Sequence, residues 1–444
     1  VDRIPGDPLR AVRSWTMTTL PGDGHEPAAP APAATPAAPS PARPVRAVRS
    51  RPVDLVGTLL QRLPRAHGVL AWVRDGEGLV GWGEAARLEV TGPDRFTVAQ
   101  EWWESLAASW PVDDEVAVRG SGPVAFGSFA FGPDEPSVVV VPEVVLGRRG
   151  GTTWLTTVGD PPRLTTPEPV RSPGELRYAR GEVAVTQFRS AVAAATERIA
   201  RGELEKVVLA HDLVATAEHD VDVRYVLAGL AASNPGCWAY AVDGLVGATP
   251  ELLVSRDGDQ VFSRVLAGTM PRGGAAEDRA RVAELVGSAK DQEEHRYAVE
   301  SLVRALEPHV TGLQAPAEPG VLELSNVSHL VTDVTARLDD SSHVLDLLAA
   351  LHPTAAVGGT PREAALRTIA ELEGMHRGRY AGATGWVDAA GDGEWGLALR
   401  CAQVSGRSAR LFAGCGIVGA SDPDTEVLEA QAKFVPVRDA LEGS

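Results

Sequence analysis

Residues 413–433 read AGCGIVGASDPDTEVLEAQAK. The stretch opens as a glycine-spaced apolar strand, turns at Ala420-Ser421-Asp422-Pro423 and continues as a helix. Pro423 suits the first helical turn, with Ser421 or Asp422 as N-cap. Glu426, Glu429 and Lys433 then fall at i, i+3 and i+7 and share one helix face. Two carboxylates three residues apart repel by roughly 0.2–0.5 kcal/mol. A divalent cation reverses that cost, and hard oxygen ligands suit Mg²⁺. An acidic pair of this kind is more often a solvated helix face, so it needs partners elsewhere in the chain. GCGIVG (414–419) also matches a dinucleotide-loop pattern, but no βαβ unit surrounds it.

Immediately upstream, Tyr380–Asp388 and Glu394–Val404 read as a hairpin across 391–393. This places Arg400 in a strand, LALRCA, whose apolar neighbours imply burial and a required partner. A planar guanidinium matches a carboxylate bidentately. Gly414, Gly416 and Gly268-Thr269 are places where a ligand can approach the backbone. Glu277–Leu306 reads as one long helix, with Asp291, Glu294, His295 and Ala298 on one stripe and Lys290, Glu293 and Arg296 off it. That stripe is a second acidic pair, able to meet Glu426 and Glu429. The HExxH pattern is absent, and one histidine beside carboxylates favours an oxygen-ligated ion over zinc.

Two further residues carry acid–base potential. In the strand Lys206–Ala215, alternation puts Lys206 on one face with Val208 and Ala210. An ammonium stripped of hydration there becomes a usable general base; the plainer alternative is a solvated lysine at a strand edge. Gly247-Ala-Thr-Pro-Glu251 reads as a turn that aims Glu251 from the start of a strand. If desolvated, that carboxyl stays protonated near neutrality and serves as a general acid. Elsewhere, strands follow one another through hairpin turns and not in βαβ alternation. The expected class is α+β, with large antiparallel sheets forming a sandwich-like core flanked by helices.

Composition limits the remaining possibilities. The 444 residues, 44% hydrophobic, suffice for a substantial core. A formal charge of −17 argues against a nucleic-acid partner. Cys237, Cys401 and Cys415 form neither a disulfide framework nor a metal spacing, which fits a reducing cytoplasm. No apolar run approaches the roughly 20 residues of a membrane span. Residues 1–52, rich in Ala and Pro, read as a disordered tail. The rest, 53–444, reads as a single catalytic domain, with a sheet scaffold at 53–160 and the chemistry within 180–441.

Separately these signals are weak; their ordered combination is specific. KVVLA (206–210), GATPELLV (247–254), LAGTMPRG (266–273), SAKDQEEH (288–295), NVSHLVTDV (326–334), LHPTAAVGGTPREAA (351–365), GEWGLALRCA (393–402) and residues 413–433 resemble the chorismate-utilising enzymes. These are the isochorismate, salicylate, anthranilate and aminodeoxychorismate synthases, which share an anthranilate synthase component I-like fold. Ammonia-adding members generally lack the KVVL lysine. This chain has Lys206 and LHPTAAVGGTPR, and looks most like the isochorismate synthases, with salicylate synthases or a non-catalytic chorismate-binding relative as alternatives. The resemblance implies Mg²⁺ held by Glu294 and Glu429, with Asp291 and Glu426 in support. It implies Lys206 as base and Glu251 as acid. Gly268, Thr269, His329, Arg400, Gly414, Gly416 and Lys433 would contact substrate. The substrate would be chorismate, in menaquinone or siderophore biosynthesis, with no glutamine amidotransferase subunit. His211 and Val331 depart from the family's usual KVVLxR and HLAT.

Overall fold

Two antiparallel sheets of thirteen and ten strands carry the fold, seen here in a computed structural model that describes residues 46–160, 166–272, 275–324 and 327–443. The larger sheet runs from Leu176–Arg180 through Lys206–Ala217, Ser408–Ile417, Cys401–Ser405, Leu245–Thr249 and Trp238–Val242 to Leu70–Arg74, and on to Val48–Pro52 and Val112–Asp114. The smaller runs from Val310–Gln314 through Val327–Leu338, Gln260–Pro271, Leu252–Asp257, Gly393–Leu397 and Ala383–Asp388 to Val124–Ser128, Ser137–Val141 and Ala86–Val90. Among the described residues, Val48–Pro52 against Val112–Asp114 is the one parallel pair. One apolar cluster joins the sheets, with Trp72 and Tyr240 from the larger and Phe126, Trp386 and Trp395 from the smaller. The class is α+β, as the hairpin-rich pattern predicts.

Several expected boundaries move. Val48–Pro52 is already a sheet strand, paired with Trp154–Val158, so the folded chain starts ahead of residue 53. The rest of the expected tail, 1–45, lies outside the described residues. The expected split into scaffold and chemical core is not a spatial one. Ala239–Ala241 pairs with Ala71–Val73, and Thr384–Asp388 with Val124–Ser128, so early and late strands interleave. The long helix is two, Ala275–Gly287 and Ala289–Leu306. Ser288 sits between them in extended backbone, and its hydroxyl accepts from the Asp291 amide at 3.2 Å, starting a new helix. The buried stripe of that second helix is Asp291, His295, Ala298, Leu302 and Leu306.

The chain changes sheets at two points that matter later. Leu245–Thr249 belongs to the larger sheet and Leu252–Asp257 to the smaller, so Pro250-Glu251 is the crossing between them, and Gly247–Thr249 is strand rather than turn. Gly393–Leu397 belongs to the smaller sheet and Cys401–Ser405 to the larger. Arg400 therefore lies in the return crossing and not within a continuous strand; its φ is +48°. The apolar run LALRCA hides this break because both flanking strands are buried.

Candidate active site

Lys206 opens a twelve-residue strand whose first seven residues are all buried. Helices Val185–Ala200 and Arg362–Leu372 pack against this strand. The ammonium is fully enclosed, and Nζ lies 3.2 Å from Glu294 Oε1. Glu251, at the sheet crossing, is 5% exposed. Burial pushes its carboxyl up to about 8, against the pull of Lys206. Both residues are thus desolvated, and neither is the solvated side chain that an isolated reading favours.

A cavity of about 70 Å³ lies between strands Lys206–Ala217 and Ser408–Ile417 of one sheet and Gln260–Pro271 and Val327–Leu338 of the other. Nine of the expected residues line it: Glu251, Gly268, Thr269, Glu294, His329, Arg400, Gly414, Gly416 and Lys433. Lys206 does not line the cavity but pairs with Glu294, which does; Asp291, Glu426 and Glu429 do not line it either. The larger cavity of about 770 Å³, bordered by Leu70, Trp82 and Arg87, shares no residue with this group.

Arg400 and His329 form the anion-reading side. Arg400 Nη2 donates to His329 Nε2 at 3.1 Å. His329 Nδ1 must then carry the proton, and it lies 3.1 Å from Thr269 Oγ1 and 3.3 Å from the Gly268 carbonyl. Burial, reinforced by Arg400, pushes the imidazole well below its ordinary value, so it stays neutral. Arg400 Nη1 is buried with no hydrogen-bond partner among the described residues. An unpartnered buried donor is costly unless a ligand completes it.

Two glycines are required by space. Gly268 has φ +77°, a left-handed conformation open to glycine, and faces Asp291 Cβ. A Cβ on Gly416 would overlap Glu294 Oε1 and stand 3.0 Å from Lys206 Cε. Both are far ends of flexible side chains, so Gly416→Ala is expected to fold while displacing the two groups. Since a misplacement of about 1 Å costs about 10²-fold, kcat should fall by that order with the melting temperature little changed. An unchanged kcat would separate Gly416 from the chemistry.

The acidic residues meet lysines. Helix Pro423–Glu442 starts on Asp422, whose side chain accepts from the Thr425 amide at 2.9 Å. Ser421 Oγ instead accepts from Val418 N. Glu429 pairs with Lys433 at 2.7 Å, Glu426 with Lys290 at 2.6 Å and Glu294 with Lys206 at 3.2 Å. Asp291 Oδ1 accepts from the Thr269 amide at 3.3 Å. Burial alone would raise the Glu429 carboxyl, but Lys433, Lys290 and Arg400 hold it low. Burial and Glu429 raise Glu426, while Lys290 and Ser421 pull it down. Lys290 went unrecognised because it lies off the helical stripe; its partner is on another helix. A group of three possible ligands, Cys415, Glu426 and Glu429, has ligand atoms within 4.8 Å of one another. Glu294 and Asp291 fall outside this group at that spacing. The carboxylate oxygens of Asp291, Glu294, Glu426 and Glu429 are the donor type that suits a hard divalent cation.

His211 packs between Phe188 and Phe434, tilted against the first and edge-on to the second, with centroids 4.8 and 5.1 Å away, and neither it nor Val331 lines the cavity. Among the described residues no helix is long and apolar enough to cross a membrane.

The chain passes between the two sheets at Glu251 and at Arg400, and Lys206 is buried beside Glu294. The chain belongs to the chorismate binding enzyme family, which it matches over residues 51–159 and 163–442. A Mycobacterium tuberculosis protein provisionally named isochorismate synthase MenF is 40% identical over 345 residues, covering 74% of this chain and 89% of the relative. Isochorismate synthase DhbC of Bacillus subtilis is 38% identical over 299 residues, covering 61% and 75%. The structure of MenF, the menaquinone-specific isochorismate synthase of Escherichia coli, superposes with a TM-score of 0.74 at 26% identity, covering 89% and 94%.

Proposed function

We propose that this chain is an isochorismate synthase, converting chorismate to isochorismate with Mg²⁺. The observation that carries the reading is the buried pair Lys206 and Glu251 in a chain of this family, Glu251 lining the cavity and Lys206 paired with Glu294, which lines it too. Lys206 takes a proton from water as its oxygen bonds to ring carbon C2. The ring double bonds shift, the C4–oxygen bond breaks, and Glu251 gives its proton to the departing hydroxyl. Water enters and water leaves, so the reaction is an isomerisation. Lys206 acts as the neutral amine, which requires Glu294 to be engaged elsewhere. Arg400 Nη1, Gly416 and Lys433 hold the enolpyruvyl carboxylate, and neutral His329 fixes the guanidinium. Glu294 and Glu429 hold Mg²⁺, supported by Asp291 and Glu426. When bound, the ion neutralises the ring carboxylate and draws electron density toward it.

Incubation with chorismate and Mg²⁺ tests the whole reading. Isochorismate is the expected product, and it should remain the product when ammonium salts are added. Salicylate with pyruvate would make the chain a lyase, and no turnover a binding protein.

The acid also fixes a pH response. Glu251 works only when protonated, and its carboxyl lies at about 8 because burial outweighs the opposing pull of Lys206 and Lys433. Below that value the acid is loaded; above it the proton is lost, so kcat should fall as pH rises through about 8. A kcat that climbs steadily through this range would remove Glu251 from the acid role.

A further inference from the structure

Strand Lys206–Ala217 has an incomplete edge beside the cavity. On one side it pairs with Ser408–Ile417 along nearly its whole length. On the other, Thr360 and Gly359 pair with Lys206 and Val207, and Leu176–Arg180 pairs with Leu213–Ala217. Among the described residues no strand covers 208–212 between them. Alternation turns the N–H and C=O groups of Val208 and Ala210 to this open edge, inside the protein, where polar groups need partners. The Val208 amide donates to the Gly358 carbonyl at 2.8 Å. Two side chains supply the next partners. Arg377 Nη2 donates to the Val208 carbonyl at 2.7 Å, and Glu373 Oε2 accepts from the Ala210 amide at 2.9 Å. Both side chains are buried, at 3% and 1% exposure, and they pair with each other at 2.6 Å. The guanidinium lies over the Phe131 ring, 4.1 Å from its centroid, and Nη1 donates to the Val357 carbonyl at 2.9 Å. One planar group thus joins Val208 to Val357, and both of these line the substrate cavity. Lys206 lies two residues before Val208.

We infer that Glu373 and Arg377 are positioning residues for the proposed reaction: together they stand in for the missing strand and hold the Lys206 end of this strand in place against the cavity. The link to catalysis rests on Lys206 being the base; the hold on the strand does not. Two backbone pairs, at Lys206 and Val207, are a short anchor for a group whose misplacement by about 1 Å costs about 10²-fold. The side-chain pair extends that anchor through Val208 and Ala210. Neither side chain lines the cavity, so both act through the backbone. A guanidinium suits the task because its donors are fixed in one plane and serve two carbonyls and a carboxylate together. A lysine ammonium offers one nitrogen; it keeps the charge opposite Glu373 without the separate reaches to Val208 and Val357.

Arg377→Gln and Arg377→Lys in the full chain test this by amide hydrogen exchange and by kinetics, well below each variant's melting temperature. In Arg377→Gln the amides of 208–210 should exchange at least about tenfold faster, while those of 213–217, covered by Leu176–Arg180, keep their rates. Per folded enzyme, kcat should fall by about 10²-fold with KM little changed, because Arg400 and Lys433 are untouched. Arg377→Lys should recover the melting temperature without recovering kcat. Should Arg377→Gln misfold, Glu373→Gln serves instead: its amide sets a donor against the guanidinium, with the same local rise in exchange and the same loss of kcat expected. A pair that only stabilises the fold gives a lowered melting temperature with normal kcat per folded enzyme, and that result overturns the inference. So does a kcat lost without faster exchange at 208–210, a rise in KM alone, or a kcat that returns in full with Arg377→Lys. If the unaltered chain does not turn over chorismate, the functional reading fails by itself. Exchange then decides whether the pair holds the strand, and unchanged rates at 208–210 would show that it does not.

Discussion

Lys206→Ala is expected to lower kcat by about 10²–10⁴-fold, the usual scale for losing a general base. The lysine is fully enclosed, and its recorded ionic partner is Glu294. Glu251→Gln should cost a similar factor, because the amide keeps the shape and hydrogen-bonding capacity of the acid but has no proton to give. Neither change should weaken substrate binding much, since Arg400 and Lys433 remain. Arg400→Ala should do the reverse, raising KM more than it lowers kcat, because it removes the free Nη1 donor. Steady-state kinetics on the three variants decides the matter. Near-normal kcat in Lys206→Ala, with chemistry lost only in Arg400→Ala, would exchange the roles.

The second large effect belongs to Glu429. Glu429→Gln should reduce turnover by at least about 10²-fold, and EDTA should silence the unaltered enzyme until Mg²⁺ is restored. Three cations, Lys433, Lys290 and Arg400, keep this carboxylate charged inside the protein. The neutral amide leaves Lys433 beside an uncharged neighbour and weakens the negative field that draws in a cation. Full activity in metal-free buffer would end the Mg²⁺ assignment. Calorimetric titration of Mg²⁺ into the variant gives an independent measure, because lost affinity there does not depend on catalysis.

How much was legible in the sequence depended on the range of the interaction. Helix Pro423–Glu442 and its acidic face follow from local signals, an N-cap aspartate, a proline at the first position and carboxylates three apart. Lys206 was visible as a charge inside an apolar strand, but its partner Glu294 lies 88 residues away, out of reach of strand alternation. The break at Ser288 was hidden because charged residues on both sides continue a helical pattern. Arg400 was misplaced because two buried strands of different sheets, joined by three residues, look like one long strand. Lys290 was passed over since periodicity within one helix says nothing of a carboxylate on another.

The two sheet crossings have a consequence for how distant substitutions act. The Glu251 carbonyl accepts from Leu397 N of the smaller sheet and the Arg400 carbonyl from Ala248 N of the larger, so the separation of the sheets is the gauge that sets them apart. Gly396 shows how closely that gauge is cut. A Cβ there would stand 2.8 Å from the Glu251 carbonyl oxygen, 2.9 Å from the Trp72 ring and 3.0 Å from Thr249 Cγ2. Trp72, wedged there, also ties the layers together by donating from Nε1 to Glu394 at 2.9 Å. Trimming or thickening this wedge would retune the spacing of acid and anion-reader without touching a single group that meets the substrate.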